Sequence, residues 1–345
     1  MNYRKVALII HKIHNFGEIV GFDMEIEKDL IFETAERYVN GTGLSIFLTG
    51  KAGTGKTTFL KYITDTTSKR FVVLAPTGVA AINAGGVTIH SFFQLPLCPY
   101  LPDVKELVTE YQMPQKGGLR KSRIKIIRTL DLLIIDEISM VRADLLDAVD
   151  MTLRRYRRND KPFGGVQLLM IGDANQLSPV VKENEREYLS RVYPSPYFFQ
   201  SKALQKVPYI TIELCKVHRQ KDNFFLDILN SIRENRISPD ILRALNSRVG
   251  AFDDENGGDV IRLTTHNSQA DRINASKLDS LSTEAYEWEA EIEGDFPENS
   301  YPVDKVLTLK AGAQVMFVRN DSQGRYYNGK ICTVQTISDK GVVTV

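Results

Sequence analysis

Four short runs in the first half of the chain are largely apolar: Leu44–Thr49, Phe71–Leu74, Leu132–Ile135 and Val166–Ile171. A strand with one wet face needs an apolar residue only at every second position. Continuous runs of this length therefore predict strands covered on both faces. Each run gives way to a turn. The first leads into a glycine-rich turn and a helix from Thr57, the second into Ala-Pro-Thr-Gly and an alanine-rich helix. The third ends at Asp136-Glu137 and the fourth at Gly172-Asp173. Strand, turn and helix in alternation predict an α/β fold with a parallel sheet.

Between the second and third runs the texture changes. Pro96, Pro99 and Pro102 stand close to Tyr100 and Leu101, and Gln115–Gly118 makes another break, so Gln94–Arg128 reads as an insertion on the core domain. A second block begins beyond Tyr193-Pro194-Ser195-Pro196, with strand candidates at Tyr209–Leu214 and Val260–Thr264 around a polar loop, Asp253–Gly258. From about Lys305 short β segments follow, Gln314–Val318, Ile331–Thr336 and Val342–Val345, separated by Gly and Asn-Gly turns. The expected division is an N-terminal extension over 1–30, a first domain over 31–195 with its insertion at about 94–128, a second over 196–305, and a β segment over 306–345.

Composition narrows the class without choosing a partner. A hydrophobic share of 43% and a charged share of 25% fit a folded globular chain. The formal net charge of +1 decides nothing about nucleic acid, where local clustering matters. Three scattered cysteines, Cys98, Cys215 and Cys332, make neither a disulfide framework nor a metal-ligand spacing, which fits a reducing compartment. The apolar stretch Val6–Ile10 is too short for a signal peptide, and no run approaches the ~18 apolar residues of a membrane span. A soluble, intracellular protein without membrane contact is expected, cytoplasmic if the source is bacterial.

The chemistry begins at Gly50-Lys51-Ala52-Gly53-Thr54-Gly55-Lys56-Thr57, followed by Thr58, which fits G-x-x-x-x-G-K-[ST]. Glycines let backbone N–H groups curl around phosphates, and the following helix adds its positive end. Lys56 is placed to reach the β- and γ-phosphates of ATP, and Thr57 to offer a hydroxyl to Mg2+. Such a pattern arises by accident in about one chain in a hundred of this length; here a strand precedes it and a helix follows. Asp136 ends a strand where a magnesium-holding carboxylate is needed, and Glu137 is the candidate to activate water. Gln176, in Gly172-Asp173-Ala174-Asn175-Gln176, is either a γ-phosphate sensor or part of a polar strand-end turn. Arg219, in Val217-His218-Arg219-Gln220, reads from spacing alone as a surface arginine.

Taken in order, these residues resemble the PIF-type (petite integration frequency) DNA helicases, relatives of RecD in superfamily one. The matching segments run from Phe47 to Thr58, Ala75 to Ala81, Thr88 to Phe93 and Ile135 to Met140, then Phe163 to Gln167, Gly172 to Val180, Val217 to Gln220 and Leu309 to Met316. The resemblance spans residues 44–345. It implies a P-loop NTPase: a RecA-like parallel-sheet domain, a partial second RecA-like domain, and the start of a small SH3-like β insertion. The family's members walk 5′ to 3′ along single-stranded DNA and open forked or structured DNA, using ATP and Mg2+, and a monomer is expected.

The resemblance also makes Gln176 the γ-phosphate sensor and Arg219 an arginine finger from the second domain. It assigns DNA contact to Pro76, Thr77, Gly78, His90, Ser91, Phe92 and Asn267. Threonine hydroxyls and glycine N–H groups hold phosphates, and His90 or Phe92 can stack on a base. By composition Phe92-Phe93 is core, and Thr265-His266-Asn267 is a plain polar turn. The basic groups at Arg120–Arg128 and Arg154–Arg158 read either as phosphate contacts or as solvated helix faces.

Two departures stand out. No glutamine precedes the phosphate loop where many relatives read adenine; Glu25, Glu27 and Glu33 occupy that region. The chain also stops at Val345, before the family's later segments and one arginine of the ATP pocket. An arginine finger contributes about 10³–10⁵ in rate, so weak hydrolysis and little unwinding are expected of this polypeptide. A nucleotide- and DNA-binding fragment without turnover, and a P-loop ATPase of the clamp-loader or partition type, are the alternatives.

Overall fold

All four apolar runs form strands in the computed structural model. It describes residues 29–51, 53–101, 119–216, 222–249, 262–291, 303–318, 321, 325–326, 330–338 and 341–345. The strands are β1 (Ser45–Gly50), β2 (Phe71–Ala75), β4 (Leu132–Ile135) and β5 (Gln167–Ile171). The two-residue β3 (Val87–Thr88) and β6 (Tyr209–Leu214) complete a six-stranded sheet in the order β3-β2-β4-β5-β1-β6. Every pairing in it is parallel.

The helices of this unit are α1 (Leu30–Gly41), α2 (Lys56–Thr66), α3 (Gly78–Asn83), α4 (Ile89–Phe93) and α5 (Lys121–Thr129). They continue with α6 (Ala143–Arg157), α7 (Glu183–Val192), α8 (Asn223–Arg233) and α9 (Pro239–Asn246). The continuous apolar runs now have their reason. Leu133, Ile135, Leu168 and Met170 enter one core with Ile89, Phe92, Ile127, Leu146 and Val149. The intervening Leu132, Ile134, Leu169 and Ile171 enter a second core with Phe32, Val39, Phe59, Leu60 and Ile63. Successive side chains of β4 and β5 thus feed opposite layers, and each burial contributes roughly 1.5–3 kcal/mol.

Polar anchors fix the helices to this sheet. On α6, the buried Asp147 accepts from Tyr193 Oη at 2.7 Å, Ser201 Oγ at 2.5 Å and the N–H groups of Lys202 and Ala203. Arg157 donates to the carbonyls of Gly164, Ile127 and Leu130, closing the end of α5 against α6.

The chain forms two compact units, one spanning Glu25–Arg248 and the other containing Val249–Val345. β6 was expected in the second block. It instead pairs with β1 from Ser45↔Tyr209 to Gly50↔Leu214, so the first unit extends past residue 195. The second unit holds α10 (Asn267–Asp279) and the antiparallel pair β7 (Ala285–Glu289) and β8 (Val306–Lys310). Two further antiparallel pairs follow, β9 (Gln314–Met316) with β10 (Ile331–Thr333), and β11 (Thr336–Ile337) with β12 (Val343–Thr344). Ala313, Val334 and Val343 form its small core, packed by Leu278, Trp288 and Leu309. Of the strand expected at Val260–Thr264, residues 262–264 are not in a strand and the rest lies outside the described residues. Among the described residues, no helix is long and apolar enough to cross a membrane.

Candidate functional site

Because the sheet is parallel, the segments leaving β1, β4 and β5 emerge along one edge. Chain order jumps from β1 across β5 and β4 to β2, which makes this edge a topological switch point where α/β folds bind ligands. Gly50 closes β1, where a Cβ would lie 2.5 Å from Thr54 Oγ1 and 2.6 Å from the Leu214 carbonyl oxygen. Only glycine fits there. Gly55 takes φ +90° as the N-cap of α2, a left-handed backbone that turns the loop into the helix. Thr54 is buried and its hydroxyl donates to the Lys51 carbonyl at 2.9 Å. Lys56 Nζ lies under the loop, donating to the carbonyls of Gly50 at 2.6 Å and Lys51 at 3.0 Å. Thr57 and Thr58 are exposed on the first turn of α2, Gly53 is half-buried, and Ala52 lies outside the described residues.

Three carboxylates surround the lysine. Burial lowers the Lys56 pKa, while Asp173, Glu137 and Asp136 draw it back up and Arg233 opposes them. Burial, then the neighbouring Glu137 charge, raises Asp136 to about 6, against the pull of the Glu137 N–H and of Lys56. A carboxylate in that condition is stabilised by a cation beside it. Together with the Thr57 hydroxyl it offers the all-oxygen ligand set that suits Mg2+. Glu137 follows with φ +51°, left-handed for a non-glycine residue, at a cost on the order of 1 kcal/mol.

Asp173, 1% exposed, lies beyond β5. Burial would raise its pKa, but the hydrogen bonds and charge of Arg233, the Asn175 N–H and Lys56 hold it below the usual carboxylate range. Arg233 grips it with both ends of its guanidinium, Nε to Oδ2 at 2.9 Å and Nη2 to Oδ1 at 3.0 Å. Gln176 Nε2 donates to Oδ2 at 3.3 Å, and its backbone N–H donates to the Asp173 carbonyl. The expected sensor is thereby tethered beside the lysine, and Gln176 itself is exposed. Sequence reasoning missed Arg233: it ends an ordinary amphipathic helix, with no spacing signal linking it to residue 173. Arg219 lies outside the described residues.

The expected DNA contacts are spread over both units. Pro76, Thr77 and Gly78 follow β2 and are half-buried; Thr77 Oγ1 caps α3 by accepting from the Ala80 N–H at 3.2 Å. His90 is half-buried and Ser91 exposed on α4. Phe92 corrects the expectation. It is 4% exposed, packed edge-on against Phe93 at 4.8 Å and covered by Arg123, so its ring is core and offers no face to a base. Arg123 also donates to the carbonyls of Ser91 and Phe92, and Arg157 to four more, which makes both basic residues structural. Asn267 is exposed at the start of α10 in the second unit. The insertion expected over 94–128 is described only at its flanks, where Leu95, Leu119 and Ile127 join the core.

A phosphate loop after the inner parallel strand β1, with acids following β4 and β5 at the same edge of the sheet, defines a P-loop nucleoside triphosphatase of the RecA-like kind. The PIF1-like helicase family matches residues 23–239. Over 294 residues the chain is 36% identical to the human ATP-dependent DNA helicase PIF1, covering 82% of this chain and 42% of that protein. It is 34% identical over 297 residues to ATP-dependent DNA helicase RRM3 of Saccharomyces cerevisiae, covering 83% and 39%. A solved structure of two coordinating Pif1 helicases at forked DNA superposes with a TM-score of 0.80 at 37% identity, covering 92% of this chain and 75% of that one. Bacteroides Pif1 bound to single-stranded DNA gives 0.76 at 38% identity, covering 90% and 70%. The chain belongs to the PIF1-like helicase family, and it spans about two fifths of the length of the curated relatives it matches.

Proposed function

We propose that this chain is the ATP-driven motor portion of a DNA helicase that moves 5′ to 3′ on single-stranded DNA and acts at forked or structured DNA. The observation that carries the reading is the convergence of Lys56, Asp136, Glu137 and Asp173 on the phosphate loop, at one edge of the sheet. Relatives solved with single-stranded DNA, and with ADP-AlF3 and single-stranded DNA, support both ligands.

In this reading the N–H groups of the loop and of the first turn of α2 hold the phosphates, and Lys56 turns from the loop carbonyls to the β- and γ-oxygens. Mg2+, held by Thr57 and Asp136, would supply charge neutralisation on the phosphates. Glu137 accepts the proton of the attacking water, and Gln176 reports the γ-phosphate to Asp173. Arg219 is the proposed arginine finger. Pro76, Thr77, Gly78, His90, Ser91 and Asn267 are the proposed DNA contacts. The second unit is read as part of a second RecA-like domain, its short antiparallel pairs as the start of an SH3-like insertion, and the working unit as a monomer inside the cell.

Steady-state ATPase, with and without a single-stranded oligonucleotide and with Lys56→Ala as the blank, tests this. Stimulation by DNA that Lys56→Ala abolishes supports the motor. Nucleotide and DNA binding without turnover would make the chain a binding fragment, and turnover indifferent to DNA would overturn the helicase reading.

A further inference from the structure

The end of α8 carries two adjacent, opposite charges, and each meets its opposite at the phosphate site. Arg233 holds Asp173 in the two-bond grip described above, with 18% of its side chain exposed. Glu234, the next residue, pairs with Lys51 inside the phosphate loop at 3.5 Å and also with Arg236. The arrangement is matched by sign: Arg233 meets the acid and Glu234 meets the loop lysine, opposite charge on opposite in both contacts. α8 lies more than 160 residues after the loop in sequence, yet in the same compact unit.

The two contacts act on nucleotide in opposite directions. Asp173 is a nearly buried negative charge beside Lys56, the group that must face the triphosphate. Arg233 neutralises it, so Lys56 stays available and the site stays attractive to anions. Glu234 does the reverse, placing a negative charge near the loop and engaging Lys51.

We propose that Arg233 and Glu234 form a charge-paired clasp that sets nucleotide affinity: Arg233 is a positioning residue that neutralises Asp173 and leaves Lys56 to the phosphates, and Glu234 competes with those phosphates for Lys51. The proposal rests on the ATPase reading of the site and adds to it a means by which the segment after β6 tunes binding.

Binding of a fluorescent ATP analogue with Mg2+ to the whole chain provides the test. Arg233→Ala raises Kd on the order of tenfold, by leaving Asp173 uncompensated. Glu234→Gln lowers Kd by about twofold to fivefold, an effect that shrinks with added salt. Asp173→Asn placed in the Arg233→Ala background recovers most of the lost affinity. Loosening of a docked helix would move both single variants the same way and give no such recovery, and either result overturns the clasp. If Arg233→Ala fails to fold, Arg233→Gln carries the comparison, removing the charge while keeping a side chain that can donate to Asp173. Its Kd should lie above that of the parent chain, and an unchanged Kd would count against the proposal. Lys56→Ala separates the two ideas: binding that survives it defeats the ATPase reading itself. Binding that it abolishes, with the clasp variants indistinguishable from the parent, defeats only the clasp.

Discussion

Lys56, Asp136 and His90 show how burial shifts the titration of ordinary side chains. Glu137 sits next to Asp136 but differs from it in backbone, which supports a split of roles between metal holding and proton acceptance. Glu137→Gln keeps the shape and removes the base. Nucleotide binding should survive while hydrolysis falls by about 10²–10⁴, measured by ATPase beside analogue binding. His90 yields a pH prediction. Burial, then the positive Arg142, lowers its pKa, with Asp144 pulling the other way. The fold therefore favours the neutral imidazole. Its contribution is fully present above the unfolded value of about 6.5 and is lost as pH falls from there toward the lowered folded pKa. A melting-temperature series between pH 7 and 5 should decline, and His90→Gln should flatten that decline.

At the scale of elements, β4 and β5 are the strands the rest depends on. Ile134 is fully buried between β2 and β5 in the core shared with α1 and α2. Ile134→Ala should cost about 2–5 kcal/mol, read from the urea midpoint. Asp147 is the polar equivalent on α6. Asp147→Ala leaves two hydroxyls and two N–H groups without their acceptor, and about 3–5 kcal/mol of destabilisation is expected by the same measurement. Asp147→Asn should cost less, since it retains an acceptor oxygen. These strands were legible in the sequence because a strand covered on both faces leaves an uninterrupted apolar run. β7 was not: Ala-Tyr-Glu-Trp-Glu alternates with charge and lies outside the four runs. Arg123 and Arg157 misled in the other direction. In the chain they read as basic clusters, and only the fold shows their guanidiniums spent on backbone carbonyls.

At the scale of the molecule, the unit Glu25–Arg248 contains the whole six-stranded sheet, the phosphate loop, the acids and the clasp. Expressed alone, it should bind nucleotide within roughly tenfold of the whole chain, about 1.4 kcal/mol. Analogue binding to the purified fragment checks this, and loss of binding would assign part of the site to later residues.

The phosphate loop, the acids after the third apolar run and the parallel α/β class were determined by the sequence itself. Each depends on neighbours in the chain: glycines beside a strand end, a lysine at the first turn of a helix, apolar runs too continuous for a wet face. The family too was legible, through the order of its segments. Tertiary structure decided what depends on distant partners. It placed Tyr209–Leu214 beside β1, took Phe92 into the core away from any base, and brought Arg233 onto Asp173 across 60 residues. Burial and charge compensation are sums over neighbours in space, and no local pattern in a chain carries those sums.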